Sequence, residues 1–152
     1  MKTKATQKTV STVVMLALFI SVFAVSASAN NHLDSAFKFY FNGNTWETNF
    51  REKTDTSNCY MYCKQSTNSS YYFTAHAQGS FYEGKPTQKW DASHGYTTVM
   101  RLGTETAHIR NWVKDYYPNT LVFASIAGVP SSSVAFTATG VWSPDNYEGI
   151  EG

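Results

Sequence analysis

Apolar and polar side chains alternate with a period of two in several separate stretches of this chain, and that alternation restricts it to a fold built from half-buried strands. Successive side chains on a strand point to opposite faces, so alternation means one face in a core and one in water. Phe37-Lys38-Phe39-Tyr40-Phe41 sets three Phe against Lys38 and Tyr40, and Asn42-Gly43-Asn44 ends the stretch with turn residues. Ser57 to Gln65 sets Cys59, Met61 and Cys63 against Tyr60, Tyr62 and Lys64, and Tyr71 to Ala77 sets Tyr71, Phe73, Ala75 and Ala77 against Tyr72, Thr74 and His76. The polar segment 65–70 between them predicts a hairpin. A second hairpin is predicted from Thr120 to Ala127 and Val134 to Trp142, with Val134, Phe136, Ala138, Gly140 and Trp142 sharing a face.

The remaining segments are less regular. Gln78 to His94 carries two Gly, one Pro and four charged residues and reads as a long loop, with room for a short edge strand. Gly95 to Leu102 reads as a strand with Tyr96, Thr98 and Met100 on one face. Over 104–114 the period changes, because Ile109, Trp112 and Val113 recur at three and four residues behind a possible Thr104 N-cap, which predicts one short helix or helical turn. Pro118 pushes Tyr117 out of helical space and marks a turn. The expected fold class is all-β, an antiparallel β-sandwich of about six strands, because no crossover helices separate the strands. The acidic segment from Ser143 to Gly152 reads as a loosely held tail.

A different kind of pattern precedes all of this. Lys2, Lys4 and Lys8 are followed by an apolar run from Val13 to Ala24 and by Ala27-Ser28-Ala29, in the order of a secretory signal peptide with a small-x-small cleavage site. The run of 12 residues is too short to span a bilayer as a helix. Residues 1–29 are therefore expected to be a signal helix, with cleavage at Ala27 or Ala29. Residues 30–152 are expected to form one β-sandwich domain, secreted and without a transmembrane segment. Removing three lysines leaves nine Lys and Arg against eleven Asp and Glu, a net charge of −2. A slightly acidic domain without basic runs argues against nucleic-acid binding and against a polybasic membrane anchor.

Few residues suggest chemistry. HExxH, CxxC, GxSxG and glycine-rich phosphate loops are all absent from the sequence. Glu83, Asp91 and His94 lie close together in one predicted loop, without a motif that assigns them a catalytic role. No catalytic residue and no cofactor is expected, and the protein is read as non-enzymatic. Cys59 and Cys63 are the only cysteines. In a regular strand their Cα atoms stand roughly 13 Å apart, beyond a disulfide's reach of under about 7 Å. Two buried thiols, a disulfide across a bulge, and a metal or intermolecular link all remain open. A cut after Ala29 would start the chain Asn30-Asn31-His32, whose amine, two amides and imidazole can wrap a Cu(II) or Ni(II) ion in a square plane; a flexible polar start is the plainer reading of His32. Tyr40, Tyr60, Tyr62 and Tyr72 lie opposite the apparent core faces and are the candidate binding residues, able to stack on sugar rings or anchor a protein.

Phe37 to Phe41 (FKFYF), Lys53 to Lys64 (KTDTSNCYMYCK) and Ala138 to Asp145 (ATGVWSPD) together resemble a family of small secreted proteins of unknown function from Gram-positive bacteria. The resemblance covers most of the chain beyond residue 29, except roughly 81–106. It implies an exported, compact β-rich domain with no catalytic residues to carry over. Size, export and the GVW near the C-terminus also give a distant likeness to lactococcin-like bacteriocins. The expected role is extracellular or cell-surface binding, with a cell-wall glycan or a surface protein as partner; the alternative is a bacteriocin-like antagonistic factor.

Overall fold

The computed structural model describes residues 31–103 and 107–146. In chain order its elements are β1 (Ser35–Phe41), β2 (Trp46–Glu47), β3 (Arg51–Glu52), β4 (Cys59–Ser66), β5 (Phe73–Ser80), β6 (Trp90–Asp91), β7 (Thr98–Met100), β8 (Ala107–Ile109), α1 (Val113–Tyr116), β9 (Phe123–Pro130) and β10 (Phe136–Ser143). One sheet has the order β1-β10-β4-β8. The other has the order β2-β9-β5-β6, with β3 also beside β9 and β7 also beside β5. Every pairing is antiparallel. The chain is thus an all-β sandwich, as the alternation requires.

The core lies where the two inner faces meet. Phe37, Phe39 and Phe41 point inward from β1, Phe73 from β5 and Phe136 from β10, and all five are buried. Their rings form one cluster: Phe39 meets Phe73 edge-on at 5.7 Å, Phe41 lies 5.2 Å from Phe73, and Phe41 lies 4.8 Å from Phe136. Each such ring contributes roughly 1.5–3 kcal/mol through its burial. Close packing of this kind requires missing side chains elsewhere. A Cβ on Gly140 would stand 1.9 Å from the Tyr62 carbonyl oxygen and 2.8 Å from the Phe37 ring, so only glycine fits this point of β10.

Both expected hairpins are corrected by the topology. Strands β4 and β5 lie in different sheets, as do β9 and β10, so the segments 67–72 and 131–135 cross the sandwich instead of turning back within one sheet. Alternation reports which face of a strand is buried, and in a sandwich that information is the same for a hairpin and for a crossing. The crossing at 67–72 is itself packed: Tyr71 stacks on Phe136 at 5.7 Å. The count also changes, from about six strands to ten, because short edge pieces complete both sheets.

The segment expected to be a helix over 104–114 is mostly extended. Ala107–Ile109 forms β8 and pairs with Cys59 to Met61, and only Val113–Tyr116 is helical. The three-and-four spacing does mark burial, since Ile109 and Val113 are both inaccessible. Their backbone, however, finds its partners on the edge of β4, which overrides local periodicity. Thr104 lies outside the described residues, and α1 begins after Trp112. The strand expected over 95–102 shortens to Thr98–Met100, and the segment 78–94 keeps only part of its length as loop, because Gln78 to Ser80 complete β5 and Trp90–Asp91 forms the edge strand β6.

The largest departure concerns the C-terminal segment. Ser143, Asp145 and Asn146 are buried, not loosely held; residues 147–152 lie outside the described ones. Asp145 and Lys53 are both fully inaccessible and form an ion pair at 2.6 Å. Lys53 uses its three ammonium protons on Asp145, on Asp55 at 3.1 Å and on Ser57 Oγ at 3.3 Å. Asp145 Oδ2 accepts hydrogen bonds from the Thr54 N–H, the Thr54 hydroxyl and the Asn31 N–H. One buried network therefore ties the start of the described chain, the 53–57 segment and the last strand together.

Asp55 is the network's exposed end. Burial pushes its carboxyl up, but two hydrogen bonds from Ser57 and the charge of Lys53 outweigh this and hold it below the usual range. A carboxylate depressed in the folded state stabilises above its unfolded pKa of about 3.9, and that contribution disappears as the pH falls through the lower folded value. Stability of the wild type is therefore expected to fall in urea titrations below about pH 4. Asp55→Asn should show a shallower fall over that window, and an unchanged acid slope would contradict the assignment.

Cys59 and Cys63 are both buried free thiols within one continuous strand, on the same face. The bulge where β10 pairs with β4 falls after Cys63, so the segment between the two cysteines keeps regular pairing. Burial pushes the Cys59 thiol up to about 12, and raises Cys63 as well. Because the thiolate is the reactive form, neither should react with an aromatic disulfide reagent at pH 8 in the native protein, and both should react after denaturation. Fast native labelling, or no free thiol after denaturation, would contradict this.

Candidate binding site

The segments 81–96 and 110–117 meet at the β6 end of the second sheet; the sequence reads 81–94 as part of a loop and 110–114 as the end of a helical turn. A tight turn positions the first. Asp91 accepts hydrogen bonds from the Ser93 N–H and hydroxyl, Ser93 Oγ accepts from the Gly95 N–H, and the Ser93 carbonyl accepts from the Tyr96 N–H. Within this turn His94 has φ of 53° and Gly95 has φ of 80°. Two successive left-handed residues throw the His94 ring outward; His tolerates that conformation better than most side chains. Burial pushes the Asp91 carboxyl up, yet the two Ser93 bonds outweigh it and keep the group below its usual range. The turn is thus held by a carboxylate that stays charged.

The second segment supplies the partners. The Trp112 N–H donates to the Ala92 carbonyl at 2.9 Å, docking the start of α1 against the turn. His94 stacks on Trp112 at 4.3 Å with ring planes 16° apart, and on Tyr116 at 5.6 Å, where His94 Nε2 and the Tyr116 hydroxyl are hydrogen-bonded. On one side Tyr96 lies 5.7 Å from Trp112, with the Arg110 guanidinium 4.9 Å over its ring. On the other, Tyr116 meets Tyr117, which touches Phe81 at 4.9 Å and Trp90 at 5.5 Å. Ring contacts thus run unbroken from Arg110 and Tyr96 through Trp112, His94, Tyr116 and Tyr117 to Phe81 and Trp90. Tyr96, Tyr116 and Phe81 remain 51%, 49% and 44% exposed.

Only the inner end of this ladder serves the core. Trp90 lies directly over Gly79, where any Cβ would stand 2.4 Å from its ring, and so closes the end of the sandwich. The remaining rings present faces to solvent with polar tips at Tyr96, Tyr116 and Arg110. Such a surface stacks on the C–H faces of sugar rings while its polar tips meet their hydroxyls.

The sequence pattern of DUF2712, a family described as a protein of unknown function, matches residues 20–146. The chain belongs to this family. No curated protein and no solved structure matches it significantly.

In this DUF2712 chain the four tyrosines singled out by alternation do not form one row. Tyr60 and Tyr62 share the outer face of β4; Tyr40 lies two strands away on β1, roughly four residues further along. Tyr72 ends the crossing segment just before β5, beneath the Arg101 guanidinium at 5.0 Å. The ladder, by contrast, escaped a reading based on period two because, apart from Trp90 on the two-residue strand β6, its residues lie in turns, loops and one helical turn. The available signal was compositional: Trp90, His94, Tyr96, Trp112, Tyr116 and Tyr117 are crowded into 28 positions.

His32 is exposed, and the amide a Cu(II) ion would need next to it is engaged, because the Asn31 N–H donates to Asp145 at 2.9 Å and to Thr54 Oγ1 at 3.3 Å. Metal wrapping and docking of this segment exclude each other. Among the described residues no group of three or more His, Cys, Asp or Glu is arranged to hold a metal ion, and no helix is long and apolar enough to cross a membrane. The expected cleavage positions Ala27 and Ala29 lie outside the described residues.

Proposed function

We propose that this protein is exported, cut after Ala29, and works outside the cell as a non-enzymatic module that binds saccharide chains, with cell-wall glycan as the leading class of partner. The observation that carries the binding reading is the unbroken ring ladder with exposed faces at Tyr96, Tyr116 and Phe81. Aromatic surface left in water has a hydration cost, and a series of such faces in contact matches the repeating apolar faces of a sugar chain. Two further features support export. The first residues have the order of a signal peptide, and Asn31, two positions after the expected cut, is already anchored in the buried Lys53–Asp145 network.

The test has two parts. Amino-terminal sequencing of protein from the culture medium should begin at Asn30; an intact Met1 on cell-bound protein would contradict export. Purified mature protein should co-sediment with insoluble cell-wall glycan, and binding should perturb the fluorescence of Trp90 and Trp112. Recovery entirely in the supernatant with every glycan preparation would contradict the binding reading.

A further inference from the structure

A second candidate site lies at the other edge of the second sheet, where β2 carries Trp46. Two cavities of about 510 and 530 Å³ share Trp46, Glu47 and Lys85 in their walls, so a groove passes across the half-buried indole. Tyr40 lies 5.7 Å from Trp46 and extends the aromatic surface, and the Lys38 ammonium stands 4.8 Å over the Tyr40 ring.

The charges around this groove are opposite in balance to those of the chain that a cut after Ala29 would leave. Lys38, Arg51, Lys85 and Lys89 line it against Glu47 and Glu83, a local net charge of +2 on a mature chain of −2. Glu47 is already neutralised, since its carboxylate is paired with Lys89. The Lys85 ammonium reaches only the Glu47 carbonyl, at 3.3 Å. Arg51 is held rigidly by the Leu33 carbonyl and the Asn31 side chain. Gln78 also lines the second cavity, and its Oε1 is buried without a hydrogen-bond partner among the described residues.

We infer that this groove holds an anionic polysaccharide, a chain whose sugars carry carboxylate or phosphate groups. Trp46 offers a face for a ring, and Lys38 and Lys85 answer the negative charge. The site stands apart from the ring ladder and does not depend on saccharide binding there.

The experiment uses mature protein carrying Tyr96→Ala and Tyr116→Ala, which removes the outer ladder rings and leaves the groove intact. Calorimetric titrations with polygalacturonate, a phosphomannan and neutral dextran separate carboxylate, phosphate and uncharged ligands. At least one anionic polymer should bind and dextran should not. Affinity should fall about tenfold or more between roughly 50 and 500 mM NaCl, as expected where counterions are displaced. Lys38→Gln/Lys85→Gln should weaken binding by about tenfold with the thermal midpoint unchanged, because both side chains project into the groove and not the core. Trp46→Ala should weaken it without changing the salt slope. Failure of both anionic polymers to bind, equal binding of dextran, or full affinity in the double lysine variant would overturn the inference.

Discussion

Replacing Asp145 with alanine is expected to remove about 3–5 kcal/mol of folding free energy, measured by urea unfolding at pH 7. The residue lies beyond the last strand, where a substitution would ordinarily be tolerated. Here it leaves the fully buried Lys53 ammonium facing Asp55 and Ser57 alone, and strands the donors of Thr54 and Asn31 that had pointed at its carboxylate. An uncompensated buried charge is far more costly than the pair was favourable. Against a total stability on the order of 5–15 kcal/mol, the loss is a large share. Lys53→Met should be similarly damaging, since Asp145 is then the unpaired charge. The combined variant Lys53→Met/Asp145→Leu should recover part of the loss, because neither charge remains to be desolvated while the Thr54 and Asn31 donors stay unpaired. If Asp145→Ala unfolds within about 0.5 kcal/mol of wild type, the range of ordinary surface changes, the network does not tie Asn31 and the 53–57 segment to the end of β10 as described.

The second large effect concerns binding. Tyr96→Ala/Tyr116→Ala removes two rings that are about half exposed, so the core should be undisturbed and the thermal midpoint little changed. Loss of two stacking faces, each worth roughly 0.5–1.5 kcal/mol, should weaken saccharide binding by about tenfold or more. Tyr116→Ala also releases His94 from its hydroxyl partner while leaving the stack on Trp112. Tyr116→Phe should therefore keep most of the affinity if ring stacking dominates, and lose it if the hydroxyl orients His94. Tyr60→Ala, on the outer face of the other sheet, should leave this binding unaffected.

Much of the fold was legible from single strands and little of it from pairs of strands. The inward faces of β1, β4 and β10 follow directly from alternation, because a residue's side of the sheet depends on parity alone. Which sheet a strand enters depends on the direction of the connecting segment, and 67–72 and 131–135 carry polar residues compatible with a turn or a crossing. The segment 104–114 misled for a related reason. Ile109 and Val113 are buried at helical spacing, yet Cys59 and Met61 on the edge of β4 offered backbone partners that an isolated helical turn cannot match. Asp145 was invisible as a core residue because a carboxylate enters a core only with its partner, and Lys53 is 92 positions away. The candidate site was hardest to read. Tyr40 reaches a groove and Tyr60, Tyr62 and Tyr72 lie on separate surfaces, whereas the ladder joins two irregular segments through the left-handed turn at His94.

Saccharide binding by the ring ladder is measured most directly on a glycan array probed in parallel with mature wild type and Tyr96→Ala/Tyr116→Ala at matched concentration. Wild type should be retained on a set of saccharides sharing ring faces that can stack, and the double variant should lose those signals while remaining folded. No retained saccharide for wild type, or identical patterns for the two proteins, would contradict it.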